Sequence, residues 1–346
     1  MMNRKIKVLV IDDSAVFREV LTRGLSADPE LQVVARAENP FDAIDKIEAF
    51  QPDVITCDVE MPKMDGIEFI RQLLPQHPVP IIVVSSVGRA VFDAMSAGAV
   101  DFLTKPSLTA GQGMDVFLQA LIQKVKTVSG ANIVKATLEM KPHSATAGMA
   151  ASAEAFSSQM QLVAIGASTG GTESIYQLLK MLPTQMPGIV IVQHIPPNFS
   201  KLFAERLDAQ TPFKVAEGRS GDLVEPGKVI IAPGDHHMIV KRFGNRFKVE
   251  VYQGDKVNGH CPSVDVLFDS VAKSCGDQAL GIILTGMGYD GAKGLLGMRR
   301  RGARTIGQDE ASSVVYGMPK AAFEVGAVER QLPLSQMPSA VCRLLR

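Results

Sequence analysis

The chain has no tryptophan and only 5% aromatic residues. Proteins that hold unpaired bases stack them on aromatic side chains, so an extended platform of that kind is not expected. Net charge is also missing: 36 Lys and Arg balance 36 Asp and Glu. A chain-wide basic footprint for nucleic acid is therefore absent. No long apolar run occurs. The longest, at 79–84 and 188–192, are strand-sized, far short of the roughly 20 residues of a membrane-spanning helix. The opening MMNRKIKVLVIDDS reaches acidic residues after one short apolar run. It lacks the long apolar region and cleavage site of a secretory signal, so a cytoplasmic protein without membrane insertion is expected. Cysteine is scarce, at Cys57, Cys261, Cys275 and Cys342, with no C-x-x-C pair. These read as reduced thiols acting as small buried hydrophobes, not as a disulfide framework.

What the chain does have is length and patterning. Its 346 residues suit two domains, at about 150 residues each. The zero charge hides an asymmetry. Residues 1–128 hold 13 basic and 17 acidic side chains, and 161–346 hold 21 and 17. The opposed signs permit a weak, salt-screened attraction. Between them, Ala, Ser, Thr and Gly fill 17 of the 32 positions of 129–160. That composition, with poor apolar periodicity, reads as an interdomain linker.

The first half alternates strand and helix signals. Strands are expected at 6–11, 32–35, 54–57, 79–84 and 100–103, with helices at 14–25, 40–50, 66–74, 90–97 and 114–128. Five β–α pairs with fully apolar strands imply a doubly wound parallel sheet covered on both faces. The second half restarts with strands at 162–165 and 189–193 around a helix at 174–181. Further strands are expected at 228–232, 238–241, 247–252, 279–284 and 303–306, and helices at 264–274 and 291–301. This is again α/β, with an antiparallel insert expected over 213–252.

In the first half, acidic residues gather at strand ends. Asp12 and Asp13 end the first strand and Asp58 the third. Ligands of parallel α/β sheets bind at that edge. Three converging carboxylates call for a cation, and hard oxygen ligands favour Mg²⁺. Ser85 or Ser86 ends the fourth strand and Lys105 the fifth, which adds a hydroxyl and a point cation. Each acidic residue alone could be a helix cap, but the full set suits a phosphoryl group carried on Asp58. With Met61-Pro62, Asp65-Gly66 and Lys105-Pro106, residues 5–128 resemble a response-regulator receiver domain. The resemblance implies Asp58 as phosphoacceptor from a chemotaxis histidine kinase. It implies Mg²⁺ held by Asp12, Asp13, Asp58 and the Glu60 carbonyl, with Lys105 on the phosphoryl oxygens. Ser85 would be the switch hydroxyl, with Ser86 as the alternative.

In the second half, Gly166-Ala167-Ser168-Thr169-Gly170 matches G-x-S-x-G between a strand and a helix, a turn that exposes a nucleophilic serine. Its rival reading is a phosphate cradle at a helix N-terminus, but the Lys of a P-loop is missing. A serine needs a base. Of six histidines, His77 and His143 lie in a loop and in the linker, and His236 and His237 read as surface or strand positions. His194 ends an apolar strand, and His260 competes from the 258–263 loop. A carboxylate at another strand end, Asp290, completes a triad in the order Ser, His, Asp, unlike the order of α/β-hydrolases. The Met287 N–H is a candidate oxyanion donor.

The segments 165–171, 193–200, 232–237, 261–265, 284–292 and 317–319 are similar to the catalytic domain of the chemotaxis CheB protein-glutamate methylesterase family. The resemblance implies hydrolysis of glutamyl γ-methyl esters on methyl-accepting chemoreceptors and deamidation of receptor glutamines, without a cofactor. Ser168, His194 and Asp290 would be catalytic, and Thr169 and Met287 would serve the oxyanion or substrate. Domains are expected at 1–128 and 161–346. Regulation is expected to work by the receiver covering the catalytic cleft until Asp58 is phosphorylated.

Overall fold

A computed structural model of the chain describes residues 4–61, 64–86, 88–106, 111–131 and 160–346. Most of the expected linker, together with Pro62 and His143, lies outside the described residues. The chain splits into two compact units, Met1–Thr137 and Leu138–Arg346. Among the described residues no helix is long and apolar enough to cross a membrane.

The first unit has strands β1 (Ile6–Ile11), β2 (Leu31–Ala37), β3 (Val54–Cys57), β4 (Ile81–Ser85) and β5 (Asp101–Thr104). They form one parallel sheet in the order β2-β1-β3-β4-β5. Helices α1 (Ala15–Ser26), α2 (Pro40–Phe50), α3 (Gly66–Leu73), α4 (Gly88–Ser96) and α5 (Gly111–Val128) connect the strands and close the unit. Local chemistry sets the helix starts. Ser14 caps α1, Asn39 caps α2 with Pro40 behind it, and Asp65 caps α3 through the Ile67 N–H. Each supplies an acceptor for an otherwise orphaned backbone N–H. The switch point lies between β1 and β3, which is where a flavodoxin-like sheet opens a crevice for a ligand.

The second unit begins with β6 (Leu162–Ala167), α6 (Gly171–Met181), β7 (Gly188–Gln193) and α7 (Phe199–Gln210). Strands β8 (Lys214–Glu217), β9 (Leu223–Val224), β10 (Lys228–Ile231), β11 (His237–Phe243) and β12 (Arg246–Tyr252) follow. Then come α8 (Val264–Cys275), β13 (Ala279–Ile283), α9 (Ala292–Arg300), β14 (Arg304–Gln308), α10 (Met318–Glu324), β15 (Arg330–Leu332) and α11 (Met337–Leu344). Seven strands form a parallel sheet, β15-β14-β13-β6-β7-β10-β8. The chain winds outward from β6 in both directions, so the ends of β13, β6 and β7 flank the switch point.

The expected antiparallel insert over 213–252 is corrected here. Strands β8 and β10 belong to the parallel sheet, with β10 paired to both β7 and β8. Only β9, β11 and β12 form a separate antiparallel sheet. The side chains explain the split. Three consecutive residues of β10 are buried, as in a strand covered on both faces, whereas the first residues of β12 alternate inside and out. Helix α7 was not expected from the sequence; it buries Phe199, Phe203 and Leu207 between polar positions. Three of the cysteines are buried and Cys261 is half-buried, and none is in a disulfide. Burial pushes the Cys275 thiol up to about 12, a value at which it acts as a hydrophobe.

Two candidate sites, one at each switch point

In the first unit the carboxylates of Asp12, Asp13 and Asp58 bring ligand oxygens within 4.8 Å of one another. Asp12 follows β1 and its N–H donates to the Ala37 carbonyl of β2. Asp58 follows β3 and its N–H donates to Ile11. Lys105, just beyond β5, crosses to both: Nζ lies 2.6 Å from Asp12 Oδ2 and 2.5 Å from Asp58 Oδ2. Burial pushes the Asp12 carboxyl up, and the Asp58 charge adds to this against the opposing pull of Lys105. Burial would lower the Lys105 ammonium, but its bonds to Asp12 and Asp58 outweigh that and raise it. Lys105 thus pairs with two of the three carboxylates, and burial disfavours the anionic form of Asp12. The all-oxygen donor set and this charge imbalance fit a hard divalent cation. Ser85 is buried at the end of β4, and Lys105 N–H donates to its carbonyl at 3.0 Å, whereas Ser86 is exposed. Glu60 N–H donates to Asp58 Oδ1.

In the second unit the site is built on three neighbouring strands. Ser168 follows the buried strand β6. Its N–H donates to the Thr285 carbonyl at 3.0 Å, and its carbonyl accepts from Gly171 N–H at 2.7 Å and Gln193 Nε2 at 2.8 Å. The backbone of Ser168 is therefore fixed from both sides, while its residue stays partly accessible. His194 lies one step past Gln193, the partner of Ala167 in the β6–β7 register. Its N–H donates to the Ala167 carbonyl at 3.0 Å. Ser168 and His194 are thus successive strand-end neighbours. Asp290 arrives from the loop after β13, and its Oδ2 accepts from His194 Nε2 at 2.9 Å.

Asp290 is buried, and each of its hydrogen-bond partners is a donor. Its Oδ1 accepts from Asn258 Nδ2 at 2.8 Å and Ser263 Oγ at 2.8 Å, and its Oδ2 accepts from Val264 N–H at 2.7 Å. Burial alone would raise its pKa. The hydrogen bonds from His194, Asn258 and Val264 outweigh this and hold the carboxyl well below the usual carboxylate range. An anionic Asp290 can only accept, so the proton of a neutral His194 sits on Nε2. The lone pair is then on Nδ1, which is buried and has no hydrogen-bond partner among the described residues. That nitrogen is placed for a proton acceptor.

The loop carrying Met287 presses on Ser168. A side-chain carbon at Gly286 would sit 2.7 Å from Ser168 Cβ and 3.0 Å from Ser168 N. The Gly286 carbonyl accepts from Gly317 and Met318 N–H at the start of α10. In a trans peptide this turns the Met287 N–H to the opposite side. Thr285 Oγ1 donates to the Thr169 carbonyl at 3.0 Å and so joins this loop to the serine turn. Gly286→Ala is expected to shift Ser168 and lower kcat about 100-fold, the scale of a 1 Å misplacement. Steady-state kinetics alongside a melting curve checks this; wild-type kcat in the variant would contradict it.

The remaining histidines separate by contacts. His237 is buried, donates from Nε2 to the Asp255 carbonyl and accepts Ser263 N–H at Nδ1. His236 Nδ1 donates to the Gly234 carbonyl. His260, the other candidate base, stacks on His194, the histidine whose Nε2 bonds Asp290. Sequence reasoning gave no role to Gln193, Asn258, Ser263 or Thr285. Gln193, Ser263 and Thr285 stood inside motif segments and Asn258 close to one, but nothing in their spacing indicated what they hold.

Two family profiles match the chain. Residues 163–341 match the CheB methylesterase family, and residues 8–112 match the response regulator receiver domain. The chain is 50% identical to a protein-glutamate methylesterase/protein-glutamine glutaminase 2 of Syntrophomonas wolfei, over 99% of this chain and 98% of that one. It is 48% identical to a protein-glutamate methylesterase/protein-glutamine glutaminase of Syntrophotalea carbinolica, over 99% of each. Among solved structures it is similar to the CheB methylesterase catalytic domain of Thermotoga maritima. That match has a TM-score of 0.52 and 38% identity, and covers 54% of this chain and 98% of that one.

Proposed function

The chain belongs to the CheB methylesterase family, and from that membership we propose that it demethylates glutamyl γ-methyl esters of methyl-accepting chemoreceptors under control of phosphorylation at Asp58. Methanol is released, and receptor glutamines are deamidated by the same route with loss of ammonia. The observation that carries this reading is the His194 Nε2–Asp290 bond, because it leaves Nδ1 as the available base on the strand-end neighbour of Ser168.

The steps follow from the proton inventory. His194 Nδ1 takes the Ser168 hydroxyl proton as Oγ attacks the ester carbonyl. The imidazolium then carries both N–H groups, and Asp290 stabilises it. Backbone N–H groups near Ser168, that of Met287 first, receive the oxyanion, with Thr169 lining the same turn. Nδ1–H protonates the departing methoxide, giving methanol and a glutamyl ester on Ser168. Water then attacks, losing a proton to Nδ1; Nδ1–H returns a proton to Ser168 Oγ as the C–Oγ bond breaks, and the released γ-carboxylic acid ionises to glutamate. No cofactor is needed for these steps.

In the receiver, the phosphoryl group passes from a chemotaxis histidine kinase to an Asp58 carboxylate oxygen. Asp12, Asp13, Asp58 and the Glu60 carbonyl would hold Mg²⁺, which when bound neutralises the phosphoryl oxygens. Lys105 pairs with the phosphoryl oxygens, and Ser85 supplies the switch hydroxyl. A cytoplasmic protein, without nucleic acid and without membrane insertion, is part of the same proposal.

The test is methanol release from methylated receptor with and without a small-molecule phosphodonor. Wild type is expected to accelerate when the phosphodonor is added. Asp58→Asn is expected to keep basal turnover and show no response. An unchanged response in Asp58→Asn would remove Asp58 from the role given to it.

A further inference from the structure

The steps above leave His260 without a role, yet its imidazole lies flat against that of His194. The ring centroids are 3.6 Å apart and the planes differ by 8°. At that spacing the faces are in van der Waals contact with little offset. Free aromatic pairs prefer offset or edge-to-face arrangements, so the overlap is imposed by the backbones that carry the two rings.

One of those backbones is a tight hairpin. Val257 and His260 exchange both of their backbone hydrogen bonds, each 3.0 Å long. Between them Asn258 and Gly259 have φ of 53° and 84°. Two positive φ values in a two-residue loop are the signature of a type I′ turn, for which Asn-Gly is strongly preferred. The same turn delivers the Asn258 amide to Asp290 Oδ1 at 2.8 Å and to Asp265 Oδ2 at 2.7 Å. A four-residue hairpin therefore touches both partners of the buried pair: Asn258 holds the carboxylate, and His260 covers one face of the imidazole.

We propose that His260 is a positioning residue for the hydrolysis, a flat wall that fixes the tilt of the His194 ring. The inference rests on the reading of His194 as the base. A single hydrogen bond from Nε2 to Asp290 restrains one corner of the imidazole and leaves the ring free to rock about it. Nδ1 lies across the ring from that corner, so rocking swings it away from Ser168. A parallel ring at contact distance removes that motion. The requirement is a planar side chain, not a proton or a charge, so phenylalanine satisfies it and alanine does not.

The experiment compares the full-length chain as wild type, His260→Ala, His260→Phe and His194→Ala in methanol release from methylated receptor, with melting curves for each. His260→Ala is expected to lower kcat 10- to 100-fold, within the range that misplacement of a reacting group costs (roughly;). KM should stay within about twofold, because a ring that acts through the base changes turnover and not substrate binding. His260→Phe is expected to recover most of the loss. If the alanine variant melts early, the phenylalanine variant decides: a stable fold with near-wild-type kcat supports the wall. A folded His260→Phe as slow as His260→Ala would overturn the proposal in favour of a polar role for the ring nitrogens. Wild-type kcat in a folded His260→Ala would also overturn it. Retained turnover in His194→Ala would instead defeat the underlying assignment of the base.

Discussion

Ser168→Ala is expected to lower methanol release at least about 10⁴-fold while leaving the fold intact, since removing the nucleophile of a serine hydrolase leaves only the contributions of binding and the oxyanion donors. The expectation of an intact fold comes from the contacts. Ser168 is held through its backbone N–H and carbonyl, by Thr285, Gly171 and Gln193. Alanine preserves all three bonds. It also removes a hydroxyl from a partly accessible site, so no buried donor is orphaned. Melting temperature should match wild type, and receptor affinity should change little. A variant with near-normal turnover would remove Ser168 from the mechanism.

Asp290→Asn is expected to lower kcat about 10⁴-fold, by a different route. An amide NH₂ opposite His194 Nε2 is a donor facing a donor. The imidazole resolves this by moving its proton to Nδ1, which then has no lone pair to accept the Ser168 proton. Unlike Ser168→Ala, this change also costs stability. Asp290 accepts from His194, Asn258, Ser263 and Val264. An asparagine has one oxygen to offer them, and each buried donor left over costs about 1–3 kcal/mol. The pH dependence has a definite sign. The folded carboxyl is held below its ordinary pKa, so Asp290 stabilises the protein above the usual carboxylate range. That contribution is lost as pH falls through the folded value. The stability gap between wild type and Asp290→Asn should be full at neutral pH and close in acid. A gap that stays constant into acid would contradict the depressed carboxyl. Chemical denaturation across pH measures the gap, and steady-state kinetics measures the loss of kcat.

Much of this was legible in the sequence because parallel α/β folds put chemistry at strand ends. Asp12, Asp13, Asp58 and Lys105 each follow an apolar run, and the structure brings the four together. Ser168, His194 and Asp290 also stand just past apolar runs, on strands that prove adjacent. What stayed hidden depends on contacts that no periodicity encodes. The apolar run of Val229–Ile231 suits a strand covered on both faces, but the sequence does not name its neighbours; parallel pairing with β7 and β8 puts it in the main sheet. The polar positions of the Phe199–Gln210 helix obscured its apolar stripe. Asn258 and Ser263 stand in the 258–263 loop, with nothing in the sequence to mark what they hold. Ser263 does cap α8, but its hydroxyl also donates to Asp290, 27 positions away in sequence.

The central claim is that one Ser168 acyl intermediate serves both receptor reactions. The direct measurement is turnover in neutral hydroxylamine, with matched receptors carrying a γ-methyl ester or a glutamine at the same position. Hydroxylamine competes with water for the acyl-enzyme, giving γ-glutamyl hydroxamate beside glutamate. Mass spectrometry of the product should find the same hydroxamate-to-glutamate ratio from both substrates, because the leaving group has gone before the choice is made. Ser168→Ala should give neither product at a comparable rate. A ratio that differs between ester and glutamine, or hydroxamate formed at wild-type rate without Ser168, would contradict the shared intermediate.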